Sequence, residues 1–262
     1  MPAQSPIRVA VHGAAGRVGR EGLPAVEAAP DLELTAAIDP PAPERLPPGV
    51  PPDPHAADAL RERPSDVLID FTNAAASLAM APRALEAGAR PVIGSTGFTD
   101  AQVGELAELV RAHGLSGVLA PNFTIGAVLL MRLASIAARY FDYADVAEEH
   151  HETKVDAPSG TALAIARAVH AGRAERFQRN HPEREPLPGS RGAAFEGIAI
   201  HAARMPGKMA NHQVTFGGPG QTLTLRHETI NRECYMPGVL LAARKVGELQ
   251  GLVVGLDALL DL

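Results

Sequence analysis

The chain has 262 residues, 46% of them hydrophobic and 21% charged, a globular composition with room for one large or two ordinary domains that excludes disorder as its main state. A single Cys excludes an internal disulfide scaffold and favours a reducing compartment. The net charge of −6 argues against a nucleic-acid or anionic-membrane binder that works through overall basicity, and leaves room for a local cationic pocket. No basic start or apolar run precedes Ile7, and no stretch approaches the roughly 18 apolar residues of a spanning helix, so the expectation is a soluble cytoplasmic protein.

In chain order, Ile7 to Val11 reads as a first strand and Leu32 to Ile38 as a second, with a helix between them after Gly16. Val67 to Phe71, Pro91 to Ile93 and Gly117 to Leu119 repeat the pattern, each after a helical stretch. Nearly continuous apolar strands that alternate with Ala/Leu-rich stretches predict an α/β domain with a Rossmann-type, doubly wound parallel sheet. Eight prolines between Pro40 and Pro54 exclude a helix interior or central strand there and predict a surface loop.

From Gly126 the pattern changes. A long apolar helix (Ala127 to Tyr140) leads to a strand (Ala144 to Glu148), a polar cluster and a second helix after Pro158. A Pro/Arg/Glu-rich stretch, Arg173 to Arg191, reads as a solvated loop. Ile198 to Arg204, Gln213 to Phe216 and Gln221 to Glu228 alternate in period two, with Gly217-Gly218-Pro219-Gly220 as a turn. These predict a mixed or antiparallel sheet in a second, α+β domain. The expected division is 1–124, with 232–262 returning to pack on it, and 125–231.

The first strand runs into Gly13-Ala14-Ala15-Gly16-Arg17-Val18-Gly19, where small residues allow a tight turn and a close approach of backbone to a pyrophosphate. Ala15 stands where the standard fingerprint has its second Gly. Asp39, about twenty residues on at the end of the second strand, suits an acceptor for the adenosine ribose. With Pro40 next and no Arg before Arg45, a 2′-phosphate would meet a carboxylate, so NADH is expected to serve at least as well as NADPH. Gly94-Ser95-Thr96 and Ala120-Pro121-Asn122-Phe123 fall at later strand ends, where parallel sheets bind ligands, and suit a nicotinamide ring.

The densest polar stretch runs from Glu148 to Thr161. It holds His150 and His151, which can titrate near neutrality, Lys154, and Ser159-Gly160-Thr161 opening a helix whose backbone N–H groups can bind a carboxylate. Such a set suits reduction of an anionic small molecule with a proton donor at hand. His12, His201 and His212 read as bland, His12 as a loop residue bordering the pyrophosphate site and the others on the second sheet in a core or interface role rather than a catalytic one.

The stretch His150-His151-x-x-Lys154-x-Asp156-Ala157-Pro158-Ser159-Gly160-Thr161, with Gly13 to Arg20, Ile93 to Phe98, Pro121-Asn122-Phe123 and Met236-Pro237-Gly238-Val239, resembles the dihydrodipicolinate reductase family, NAD(P)H enzymes that act on 4-hydroxy-tetrahydrodipicolinate in the diaminopimelate route to lysine. The resemblance implies that Gly13, Ala14, Ala15, Gly16, Arg17, Val18, Asp39, Gly94, Ser95, Thr96, Ala120, Pro121, Asn122 and Phe123 hold NADH or NADPH. It implies His150 as general acid/base, Lys154 as proton donor, and His151, Ser159, Gly160 and Thr161 as ligands of a small dicarboxylate substrate. It also implies that 1–124 binds the dinucleotide, that 125–231 binds substrate and builds a homotetramer through its sheet, and that the domains close on one another. No metal, nucleic acid or membrane is expected.

Rival readings fail on particular residues. A short-chain dehydrogenase needs Tyr-x-x-x-Lys, but the residues four after Tyr140, Tyr143 and Tyr235 are Ala144, Ala147 and Val239. A thiol-dependent dehydrogenase would have to use Cys234, which lies in no cofactor loop. A metal hydrolase lacks a His-x-x-x-His helix. A non-catalytic NAD(H) sensor would leave His150 and Lys154 without a purpose.

Overall fold

A computed structural model describes residues 5–39, 52–53, 56–173 and 175–260. The chain divides into two compact units, one of Met1–Ile125 with Arg232–Leu262 and the other of Gly126–Asn231. No helix among the described residues is long and apolar enough to cross a membrane.

In the first unit β1 (Ile7–His12), β2 (Leu32–Ile38), β3 (Pro52–Asp53), β4 (Val67–Asp70), β5 (Arg90–Ile93), β6 (Ser116–Leu119) and β12 (Gly251–Val254) form one sheet in the order β12-β6-β5-β4-β1-β2-β3. Every pairing is parallel. Val9, Ala10, Val11, Leu68, Ile69 and Val92 are excluded from water, as strands covered on both faces require. Ala10 and Leu68 join Leu60 of α2 (Ala56–Glu62) and Met80 of α3 (Ala74–Glu86) in one cluster. Val11, pointing the other way, lies against Gly22 of α1 (Gly19–Ala28), which in turn packs on α7 (Met236–Lys245). α4 (Asp100–Ala112) completes the helices. After β3 the chain returns to the far side of β1 to form β4, so the order reverses between β1 and β4, where parallel sheets place their ligands.

The second unit contains α5 (Ile125–Ala137), which starts at the boundary, then β7 (Tyr143–His150), α6 (Gly160–Arg173), β8 (Ala193–Phe195), β9 (Ile198–Arg204), β10 (Ala210–Gly218) and β11 (Gln221–Thr229). The strands pair as β11-β10-β7-β9-β8. Val146, Ile165, Val169, Ile198, Val214 and Phe216 form its core between sheet and helices.

The second sheet is mixed, as expected, because β7 and β9 run parallel. Several other expectations are corrected. β7 continues to His150, which puts that side chain on a strand. The helix expected through Tyr140 ends at Ala137, followed by a 3-10 turn over Ala138–Tyr140. Gly217 and Gly218 belong to β10, opposite Thr222 and Gln221, which leaves Pro219-Gly220 as a two-residue turn. The stretch from Arg173 to Arg191 is largely exposed, as expected of a solvated loop, but it is anchored by Phe177, buried in the core with its N–H on the Glu196 carbonyl. The proline-rich stretch lies outside the described residues, except that Pro52 and Asp53 form the edge strand β3. β3 and β8, of two and three residues, escape sequence reading because they carry too little periodicity, and β12 escapes it as well.

Candidate active site

The glycine-bearing turn follows β1 at the switch point. Gly13 has φ +80°, and a Cβ on it would meet Phe71 backbone and Thr72 Cγ2 at 3.0 Å. A Cβ on Gly19 would run into the Gly13 carbonyl, so the first turn of α1 can close on the loop only without a side chain there. The start of α1 has no side-chain cap, whereas Asn73 caps α3 and Thr99 closes a capping box on α4. The Arg20 and Glu21 N–H groups bond the Gly16 and Val18 carbonyls, so a phosphate there would meet the positive end of the helix and the backbone of the turn before it. Asp39 Oδ2 accepts the Ala15 N–H at 3.0 Å, which places the expected ribose acceptor against the loop. The glycine loop, the helix that starts from it and the acidic strand tip fit a dinucleotide. Arg17 is exposed, Val18 half-buried, and the Ala14 methyl wholly buried.

The strand ends of β1, β4 and β5 are tied to a buried carboxylate. Asp70, 1% exposed at the end of β4, accepts from Thr72 N–H (2.9 Å), Thr72 Oγ1 (2.6 Å) and Ser95 Oγ (3.3 Å), and its second oxygen lies 2.9 Å from His12 Nδ1. Burial pushes the Asp70 carboxyl up, but the hydrogen bonds from His12 and Thr72 outweigh it and hold it below the usual range. His12 is thus the last residue of β1 and part of this network, not a loop residue. Ser95 is buried and faces inward, Gly94 leaves room for the Phe71 ring, and Thr96 is exposed. Ala120 and Phe123 are buried, the latter with its ring edge-on to Phe71, so they offer a ligand backbone, not side chain. Asn122 accepts from Thr124 N–H and Pro121 is exposed.

In the second unit the core face of β7 carries Ala144, Val146, Glu148 and His150 in alternation, turning polar at its last two positions. Glu148, 1% exposed, is hydrogen-bonded to His150 Nδ1, to both terminal nitrogens of Arg204 (3.0 and 2.8 Å) and to Ser159 N–H (3.0 Å). Burial pushes the Glu148 carboxyl up, but the bonds from His150, Arg204 and Ser159 outweigh it and bring it down to about 2. His212 on β10 is buried with its ring edge-on to His150 at 5.4 Å, and its Nε2 is 3.4 Å from Ser159 Oγ. Burial, reinforced by the neighbouring His150, lowers its pKa to about 4, so it is neutral at working pH. His212 therefore belongs to this cluster and does not merely decorate the sheet. His201 lies 3.6 Å from Asp145.

Lys154 pairs with Asp156 at 2.6 Å, and His151 Nδ1 lies 2.7 Å from Thr153 Oγ1. Ser159 is engaged within the fold, its N–H on Glu148 and its Oγ accepting the Ala162 N–H as the cap of α6. Gly160 is exposed and a Cβ on it would meet nothing within 4 Å, so the first turn of α6 is open at Gly160 and Thr161. Sequence reading assigned no role to Glu148, Arg204, Asp70 and Thr72. For Glu148 the signal was present, since an acidic residue two before His150 on a strand shares its face. No group of three His, Cys, Asp or Glu among the described residues could hold a metal ion.

An all-parallel sheet with a glycine turn at its switch point, joined in one chain to a mixed sheet that carries a buried Glu-His-Arg cluster, defines an oxidoreductase of the nicotinamide-dependent class. The models of the two halves of "Dihydrodipicolinate reductase" match the chain, the N-terminus over residues 7–123 and the C-terminus over 126–260. The chain belongs to the dihydrodipicolinate reductase family. It is 44% identical to the 4-hydroxy-tetrahydrodipicolinate reductase of Moorella thermoacetica over 97% of this chain and 98% of the relative, and 41% identical to that of Dehalococcoides mccartyi over 98% and 100%. A dipicolinate-bound dihydrodipicolinate reductase from Paenisporosarcina sp. TG-14 shares the fold with a TM-score of 0.87 at 38% identity, over 97% of this chain and 99% of that one.

Proposed function

We propose that this chain reduces 4-hydroxy-tetrahydrodipicolinate to tetrahydrodipicolinate in the diaminopimelate route to lysine, with NADH or NADPH as the reductant. The observation that carries the chemistry is the Glu148–His150 pair at the end of β7, which bonds to the capping residue of α6 and, through Arg204, to the loop that carries Lys154. The first unit holds the dinucleotide through Gly13 to Val18, Asp39, Gly94 to Thr96 and Ala120 to Phe123. Loss of the substrate's 4-hydroxyl as water leaves a conjugated cyclic imine, and the nicotinamide, when bound, would supply a hydride to the carbon that carried that hydroxyl.

The resulting negative charge spreads toward the ring nitrogen, and a proton must reach the adjacent carbon. Lys154 donates that proton and His150 acts as acid/base beside it. His151, Gly160 and Thr161 bind a substrate carboxylate, the last two at the open helix start, while Ser159 holds that turn in place. The relative from Paenisporosarcina sp. TG-14 binds dipicolinate, a dicarboxylate of the class proposed here. The largely exposed β11 fits assembly of a homotetramer through the second sheet, which light scattering on the eluting species checks.

A coupled assay that generates the cyclic imine and follows nicotinamide absorbance tests the reading, and no oxidation with either cofactor would sink it. His150→Gln and Lys154→Ala should each lower kcat about 10²-fold or more with unchanged circular dichroism. Asp39 against the loop predicts kcat/KM with NADH at least equal to that with NADPH, and Asp39→Ser should shift the ratio toward NADPH.

A further inference from the structure

Glu148 is out of place by composition. It occupies a core-facing position of β7 next to Val146, where an apolar side chain would pack without cost, and replacing a buried ion pair with apolar residues is often neutral or stabilising. It is also tied to three separate elements: to His150 on its own strand, to Arg204 on β9, and to Ser159 at the start of α6. Arg204 further donates to the Asp156 carbonyl at 2.5 Å, in the loop that carries Lys154.

We propose that Glu148, clamped by Arg204, is a positioning residue for the reaction, which fixes His150 as the Nδ1–H tautomer and so leaves Nε2 as the atom that exchanges a proton with substrate. This rests on the reading of His150 as acid/base. A carboxylate only accepts hydrogen bonds, so the ring nitrogen facing it must carry the hydrogen. Arg204 occupies both carboxylate oxygens with its fork, which stops Glu148 from turning away. The edge of the His212 ring limits how far the His150 ring can swing. The same carboxylate holds the Ser159 N–H, so the His150 ring and the open turn at Gly160 and Thr161 share one anchor.

Two measurements test this. In the unmodified protein, nitrogen-15 histidine spectra should show neutral His150, assigned by its loss in His150→Gln, as the Nδ1–H tautomer; an Nε2–H tautomer overturns the proposal whether or not any variant folds. Glu148→Gln keeps the shape but its amide can donate to Nδ1, so the other tautomer should appear and kcat should fall about 100-fold, with KM for the cyclic imine within about twofold. A purely structural role would lower the melting temperature and leave both the tautomer and kcat unmoved, which also overturns the proposal. If His150→Gln loses turnover while Glu148→Gln keeps it, positioning by Glu148 fails and the His150 reading stands. If His150→Gln itself turns over normally, the His150 reading fails, and the proposal with it.

Discussion

Each unit keeps one carboxylate almost wholly out of water near the end of a central strand, and the two are held by different donors. Asp70 in the parallel sheet gathers a backbone N–H, two hydroxyls and one imidazole from three neighbouring strand ends. Glu148 in the mixed sheet gathers a guanidinium fork, an imidazole and a helix-start N–H. A parallel sheet delivers all its strand-to-helix loops to one end, so a single carboxylate can tie several together with small groups and leave their backbone to a ligand. In the mixed sheet, β9 beside β7 ends in Arg204 level with His150, and the same device becomes an ion-pair cluster that presents titratable side chains. The first arrangement suits binding and the second suits proton transfer.

Stability measurements can break this contrast. Glu148→Ala leaves Arg204 and His150 facing a buried gap and should cost about 3–5 kcal/mol in urea unfolding. Asp70→Ala strands mainly neutral donors and should cost less, about 1–3 kcal/mol. Equal losses would show that the difference in donors does not matter.

Acid should separate the units in the same direction. The folded pKa of His212, about 4, lies below its ordinary 6.5, so the unfolded chain binds the extra proton first. Its stabilisation is complete above pH 6.5, and roughly 3 kcal/mol is lost as pH falls from there to about 4. Glu148 adds a second loss below its ordinary 4.5, complete near its folded value of about 2. Asp70, also depressed, starts to count only below 3.8. Resonances from β10 should therefore be lost at lower urea at pH 4.5 than at pH 7 by a wider margin than those from β4, and His212→Gln should remove most of the difference.

Gly19→Ala tests the binding side alone. The new methyl meets the Gly13 carbonyl, so the loop must shift, at about 1–3 kcal/mol of stability. NADH affinity measured by its fluorescence should drop, while dicarboxylate affinity in the second unit stays the same. The smallest effect is expected from Arg244→Ala, which removes the ion pair of α7 with Asp31; both side chains are more than a third exposed, and the pair should be worth under about 1 kcal/mol.

Much of this was legible along the chain. Five strands of the parallel sheet follow from short β-branched or apolar runs, because burial on both faces demands unbroken apolar residues. The glycine turn and Asp39 follow from spacing, since a close backbone approach excludes side chains at particular positions. The polar stretch from His150 to Thr161 is contiguous, so its resemblance to a family could be read directly.

The sequence by itself thus determined most of the strands and helices, the place of the glycine turn and the polar stretch that holds His150 and Lys154, because each depends on neighbours within a few residues. Tertiary structure alone decided the pairing of His12 with Asp70, 58 residues away, and of Glu148 with Arg204, 56 residues away. It also decided the parallel run of β9 beside β7 and the place of β12 on the edge of a sheet begun some 240 residues earlier. Strand order sets which side chains meet, and no local pattern of hydrophobic and polar residues encodes which strand will lie beside which.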